Sequence, residues 1–168
     1  MAKKYKYRQE IIAVVPCKSL ELSNGRLRGS LSAIERQQLA CVMLEDVLTG
    51  LFNSTELGGI LVVSDDEIIK SIATGFGARC LQNYVDKGLS SALTSANQFL
   101  NEEGAKGAIA VHADLPYLTA DDIKPLCRSI RIGPAVAIVP AERDKGTNVI
   151  AMSPPGVIGY AYGKVSSV

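Results

Sequence analysis

In Ala108-Ile109-Ala110-Val111-His112-Ala113-Asp114-Leu115-Pro116, an apolar run short enough for one buried strand ends in a lone carboxylate. Proline lacks an amide hydrogen and restricts the residue before it, so the chain must turn after Asp114. Open α/β sheets bind their ligands at the carboxyl ends of strands. Asp114 is therefore offered as a ligand for Mg²⁺ carried by a nucleotide, because Mg²⁺ takes one or two carboxylates alongside phosphates. A turn cap would have the same sequence, and the residue pattern alone weighs the two readings equally.

Two further loops carry chemistry. Lys18, Arg26 and Arg28 lie among Gly25, Gly29 and several serines, after a first apolar run. Cations and backbone amides in such a loop suit a polyphosphate, whose charge must be neutralised before a nucleophile approaches. A solvated basic loop has the same composition. Gly146-Thr147-Asn148 offers a close backbone approach, a hydroxyl and an amide, which can hold a phosphate or carboxylate. It is also ordinary turn chemistry. His112 reads as a packed core histidine, and Cys17 has no oriented base in sight. No Gly-x-x-x-x-Gly-Lys-Ser/Thr occurs, and no Gly-x-Gly-x-x-Gly opens the first helix, which argues against Walker-type and dinucleotide-binding sites.

Strands and helices must bring these loops together. Glu10–Pro16, Gly59–Val63, Ala78–Leu81, Ala108–His112, Ala135–Pro140 and Val149–Met152 read as strands. Ser32 with Glu35, Ser64 with Glu67, and Thr119 with Asp122 read as capping boxes that open helices. The first helix runs to about Phe52 with Leu39, Val42, Met43, Val47 and Leu51 on its apolar stripe. The second stops at Gly75 or Gly77, and the third runs from about Ser90 to Gly104. Pro125 falls inside the fourth, where an irregular first turn is expected. Alternating β and α elements with short connections imply an α/β fold: a mostly parallel sheet with helices on both faces.

The 168 residues fit one domain, and with 47% hydrophobic and 21% charged residues the chain is not globally disordered. Lys plus Arg (18) nearly balance Asp plus Glu (17), which excludes binding to nucleic acid or a membrane surface by bulk charge. No apolar run reaches bilayer length, and the basic residues 1–9 form an N-terminal tail without a signal-peptide pattern. The expected location is the cytoplasm. Four scattered cysteines and one histidine make a zinc site improbable and suit reduced, mostly buried thiols.

Taken in order, these loops resemble those of the guanylyltransferases that begin side-chain assembly of the deazaflavin coenzyme F420. The resemblance runs in register from Ile11 to Ser166. It includes Val15-Pro16-Cys17-Lys18, Gly25-Arg26-Leu27, Leu31-Ser32 with Arg36, Val62-Val63-Ser64 and Gly88-Leu89-Ser90-Ser91-Ala92-Leu93. It continues through Ala113-Asp114-Leu115-Pro116, Gly146-Thr147-Asn148 and Tyr162-Gly163. The resemblance implies a nucleotidyltransferase variant of the Rossmann-like fold. It also implies transfer of GMP from GTP to phosphoenolpyruvate, 2-phospho-L-lactate or 3-phospho-D-glycerate, with Mg²⁺ as cofactor.

Carried over by position, Asp114 resembles the Mg²⁺ ligand, and Lys18 and Arg26 resemble the triphosphate-contacting cations. Ser90 stands in a nucleotide-binding motif, and Thr147, Gly163 and Ser166 resemble the phospho-acid contacts. Two positions depart from the family: Asn24 stands where a lysine is usual, and Ser90 where the family's motif has asparagine. Family members also continue past the position of Val168, through a further histidine and a second metal-binding acid. The expectation is one nucleotidyltransferase-like domain over 1–168 lacking that C-terminal part. Expected partners are GTP and a small phospho-acid, with a homodimer left open. The rival readings are a nucleotidyltransferase for a molybdopterin or sugar-phosphate acceptor, and a non-catalytic nucleotide-binding homologue.

Overall fold

β1 (Ile11–Pro16) is buried at all six positions, which requires cover on both faces of the sheet. In the computed structural model, which describes residues 9–82, 88–141 and 146–162, it lies between β2 (Gly59–Val63) and β4 (Gly107–Val111), parallel to both. β3 (Arg79–Leu81) extends the sheet beyond β2, again in parallel. On the other side β6 (Thr147–Ser153) runs antiparallel to β4, and β5 (Ala135–Pro140) pairs antiparallel with β6. The order is β3-β2-β1-β4-β6-β5, so only β6 opposes the common direction. The sheet is mostly parallel, as expected, and β6 alone makes it mixed.

Among the described residues four α-helices cover it: α1 (Ala33–Phe52), α2 (Glu67–Gly75), α3 (Leu89–Glu102) and α4 (Ala120–Ser129). Strand residues point alternately to opposite faces. Ala13, Val15, Val62 and Val111 thus meet Leu44, Leu48, Ile69 and Ile123 of α1, α2 and α4. Ile12, Val14, Leu61 and Ala110 meet Leu93, Ala96 and Leu100 of α3 on the other face. Helices therefore lie on both faces, as the alternating pattern requires.

Several local expectations change. The seam of α1 is Leu44, Val47, Leu48 and Leu51; Val42, assigned to the apolar stripe, is 54% exposed. Val42 lies about 200° around the helix from Leu44, so the two cannot share one buried face. Leu39 and Met43 are half-buried, Met43 because it borders an open cavity. Gly50 closes the packing at the far end, where a Cβ would strike the Leu118 carbonyl.

The capping boxes at Ser32/Glu35 and Thr119/Asp122 both form. The one expected at Ser64/Glu67 does not. Asp66 is the N-cap of α2, its Oδ1 accepting from the amides of Ile68 (2.9 Å) and Ile69 (3.3 Å). Ser64 instead accepts from the Asp66 amide at 3.2 Å. A carboxylate next to the first turn is the better acceptor for helix amides. α2 ends at Gly75 as expected, and Gly77 (φ +69°) turns the chain toward β3. α4 runs unbroken through Pro125. The missing proline amide frees the carbonyl of exposed Asp121, which water can serve. No helix among the described residues is long and apolar enough to cross a membrane.

Candidate active site

The strand directions decide which loops meet. β1 and β4 end at one edge of the sheet, and antiparallel β6 begins there. The edge is hollowed into a cavity of about 1000 Å³. Pro16 ends β1 and Cys17 and Lys18 follow it, His112–Asp114 follow β4, Ala141 follows β5, and Gly146–Asn148 enter β6; all line it. The segment Asn24–Leu27 forms another wall. Lys18, Arg26, Asp114 and Thr147, nominated from three separate loops, thus share one cavity.

Lys18 is exposed, but the backbone on either side of it is fixed. The Cys17 amide donates to the Val63 carbonyl at 2.9 Å, and the Leu20 amide donates to Asp66 Oδ2 at 2.9 Å. Arg26 sits on a 3-10 turn, Gly25–Leu27, entered through Asn24 in the left-handed region (φ 51°, ψ 37°). Asparagine tolerates that conformation better than most residues. The Asn24 amide also donates to the Arg36 carbonyl at 3.1 Å, tying the loop to α1. Arg36 in turn donates through Nη1 to the Leu31 carbonyl at 2.8 Å. Arg28, grouped with these cations by sequence, is not part of the cavity wall.

Asp114 is exposed at the mouth of β4. The turn after it is closed by its own backbone, the Leu118 amide donating to the Leu115 carbonyl at 3.0 Å. The start of α4 is capped by Thr119 and Asp122. Among the described residues no hydrogen bond or salt bridge engages the Asp114 carboxylate. It caps nothing there and is left facing the cavity. The described residues contain no group of three or more His, Cys, Asp or Glu able to hold a metal. One free carboxylate suits a hard cation that brings most of its oxygen ligands with it.

His112 is not a core residue. β4 stops at Val111, and the half-buried imidazole lines the cavity with its ring edge-on to Tyr162, centroids 5.6 Å apart. Tyr162 also stacks on Tyr160 at 6.1 Å. Burial, with a smaller push from Tyr160, raises the Tyr162 hydroxyl to about 12, so it stays protonated at neutral pH. Cys17 lines the cavity too. Burial, reinforced by Cys80, Asp114 and Asp66, holds its thiol far above the ordinary range, which removes it as a nucleophile.

Ser90 lies beside the cavity rather than in its wall. Its hydroxyl accepts from the Tyr162 amide at 2.9 Å and donates to the Tyr162 carbonyl at 3.4 Å. It thereby pins Tyr162 to the start of α3. Gly163, Ser166 and the Glu142–Lys145 loop lie outside the described residues.

Residues 11–168 match the family described as guanylyl transferase CofC like. This chain belongs to that family. It is 34% identical over 153 residues to a phosphoenolpyruvate guanylyltransferase of Sphaerobacter thermophilus, covering 90% of this chain and 72% of that one. It is 32% identical over 155 residues to a 3-phospho-D-glycerate guanylyltransferase of Colwellia psychrerythraea, covering 92% of this chain and 73% of the other. Among solved structures, a Desulfovibrio desulfuricans G20 protein described as a nucleotide-diphospho-sugar transferase superposes with a TM-score of 0.71 at 16% identity. That match covers 86% of this chain and 64% of the other. A 4-diphosphocytidyl-2C-methyl-D-erythritol synthase from Anaerococcus prevotii superposes at 0.57 with 14% identity, covering 86% of this chain and 70% of the other. At these identities the structures establish a shared nucleotidyltransferase fold.

In this CofC-like chain, local sequence pointed to the loops but not to Tyr162 or Asp66. Tyr162 reaches the cavity through a contact with Ser90, 72 residues earlier, and Asp66 reaches Leu20 across 46 residues. The local traces of the first are the matched Tyr162-Gly163 and the alternation Tyr160-Ala161-Tyr162, whose two rings stack.

Proposed function

We propose that this protein transfers GMP from GTP to a three-carbon phospho-acid and releases pyrophosphate. The observation that carries the reading is the convergence of Lys18, Arg26, Asp114 and Thr147 on one cavity of a CofC-like chain. A phosphate oxygen of the acceptor bonds to the α-phosphorus of GTP, and the bond from that phosphorus to the β-phosphate bridge breaks. Phosphoenolpyruvate and 3-phospho-D-glycerate, named for the relatives, are the acceptors to test first.

Both reactants are polyanions, so repulsion and orientation dominate the barrier. Two like unit charges about 4 Å apart repel by about 4 kcal/mol at an effective dielectric of about 20. Lys18 and Arg26 offset that repulsion on the triphosphate side. Mg²⁺ delivered with the nucleotide would be held by Asp114 and would supply further neutralisation of the phosphates. The structural support is the freedom of that carboxylate from any capping duty.

Thr147 is read as the acceptor contact, because it enters β6 at the same edge where β4 delivers Asp114. Thr147→Val keeps the size and removes the hydroxyl. The expected result is a higher acceptor KM or lower kcat, by about 1–3 kcal/mol in kcat/KM, with GTP affinity nearly unchanged. Titration calorimetry with GTP on the variant checks this. A large loss of GTP affinity would move Thr147 to the nucleotide half of the site. The function as a whole is tested by pyrophosphate release from GTP compared with ATP and CTP.

A further inference from the structure

We infer that Asp66 is a positioning residue for the nucleotide half of this site, acting on Lys18 through the backbone. The inference rests on the proposed role of Lys18 as a triphosphate contact. It deepens that reading by naming what holds the cation in place.

The two carboxylate oxygens of Asp66 divide their work. Oδ1 accepts from the amides of Ile68 and Ile69 and starts α2. Oδ2 reaches back across 46 residues to accept from the Leu20 amide at 2.9 Å. A cap alone needs only the first oxygen. The second bond fixes the chain just two residues beyond Lys18, where the 3-10 turn Leu20–Leu22 begins. On the other side of Lys18, the Cys17 amide is already tied to the Val63 carbonyl at 2.9 Å.

Lys18 is thus the exposed side chain of a short segment whose flanking peptides are both anchored, one to β2 and one to the start of α2. The cation then needs little reorganisation to meet a polyanion, and charge fixed in advance counts for more at a reacting centre than charge that must be gathered. Leu20 is 6% exposed and packs in the core, so the anchor sits at the boundary between interior and cavity. There a charged acceptor is screened less than at the open surface.

The two duties of Asp66 can be separated. Asp66→Ser keeps one oxygen, enough to cap α2, but cannot serve Leu20 at the same time. Asp66→Asn keeps size and cap while its amide nitrogen cannot accept from Leu20, and it serves as the second variant should the serine form fold poorly. Three readouts are taken on each: melting temperature, hydrogen exchange at the Leu20 amide, and the affinities for Mg²⁺–GTP and for phosphoenolpyruvate.

The expected result is a modestly lower melting temperature, as for the loss of one charge-assisted hydrogen bond, together with faster exchange at Leu20 and GTP affinity weakened on the order of tenfold because Lys18 is no longer held in advance. Affinity for phosphoenolpyruvate should hold. A purely structural role would lower the melting temperature and leave the ratio of the two affinities where it was. Accelerated exchange at Leu20 with unchanged GTP affinity would overturn the positioning role while leaving the proposed function standing. A wild-type protein that binds no GTP would overturn both.

Discussion

Asp114→Asn should lower turnover by about 10²–10³-fold, the usual cost of removing one preorganised charge from a reacting centre, and should leave the fold intact. The substitution is nearly isosteric, and the structure gives the carboxylate no stabilising duty. The turn beyond it is closed by the Leu118 amide on the Leu115 carbonyl, and α4 is capped by Thr119 and Asp122. Among the described residues its oxygens engage no hydrogen bond or salt bridge. The check is kcat for pyrophosphate release alongside a melting curve of the same preparation. A variant that melts early yet is fully active when folded would make Asp114 a structural residue.

The largest expected effect on stability is at Leu48. It is fully buried in the seam between α1 and the sheet, against strand residues such as Val15 and Val62. Leu48→Ala should cost about 2–5 kcal/mol, the range for truncating a buried leucine and leaving a cavity. Val42→Ala should stay within about 0.5 kcal/mol, as for an exposed site free of special contacts. Urea unfolding of the two variants side by side reads the difference as a shift in midpoint at constant slope. Equal losses would mean that α1 is rotated from the orientation described above.

That contrast also marks where local sequence stops being informative. The ends of β2 coincide with its apolar run, because a strand buried by its neighbours has no polar position to blur its limits; half-exposed β5 was legible instead from the apolar run between Pro134 and Pro140. The boxes Ser32/Glu35 and Thr119/Asp122 were legible because each is closed within one turn of its own helix. The phase of α1 was not. An apolar helix offers more than one candidate stripe, and only the sheet beneath it selects Leu44 and Leu48 over Val42. Ser64 lost its capping role because Asp66 has a second partner in Leu20, which no window around residue 66 contains.

For the site, Lys18, Arg26, Asp114 and Thr147 were legible as residues of loops that leave or enter strands. That they share one edge depends on β6 running against its neighbours. Only six residues separate Pro140 from Thr147, and a connection that short joins antiparallel strands. Tyr162 entered only as part of the matched Tyr162-Gly163; its place in the cavity and the pinning role of Ser90 belong to a contact across 72 residues and were out of reach.

The measurement that bears most directly on the proposed function is pyrophosphate release by this protein with Mg²⁺, one nucleotide and one acceptor at a time. GTP, ATP and CTP are crossed with phosphoenolpyruvate, 3-phospho-D-glycerate and 2-phospho-L-lactate. The account predicts release with GTP that depends on one of the three acceptors, and little with ATP or CTP under the same conditions. Release at equal rates from all three nucleotides would contradict guanylyl transfer. No acceptor-dependent release from any of them would contradict catalysis at this site altogether.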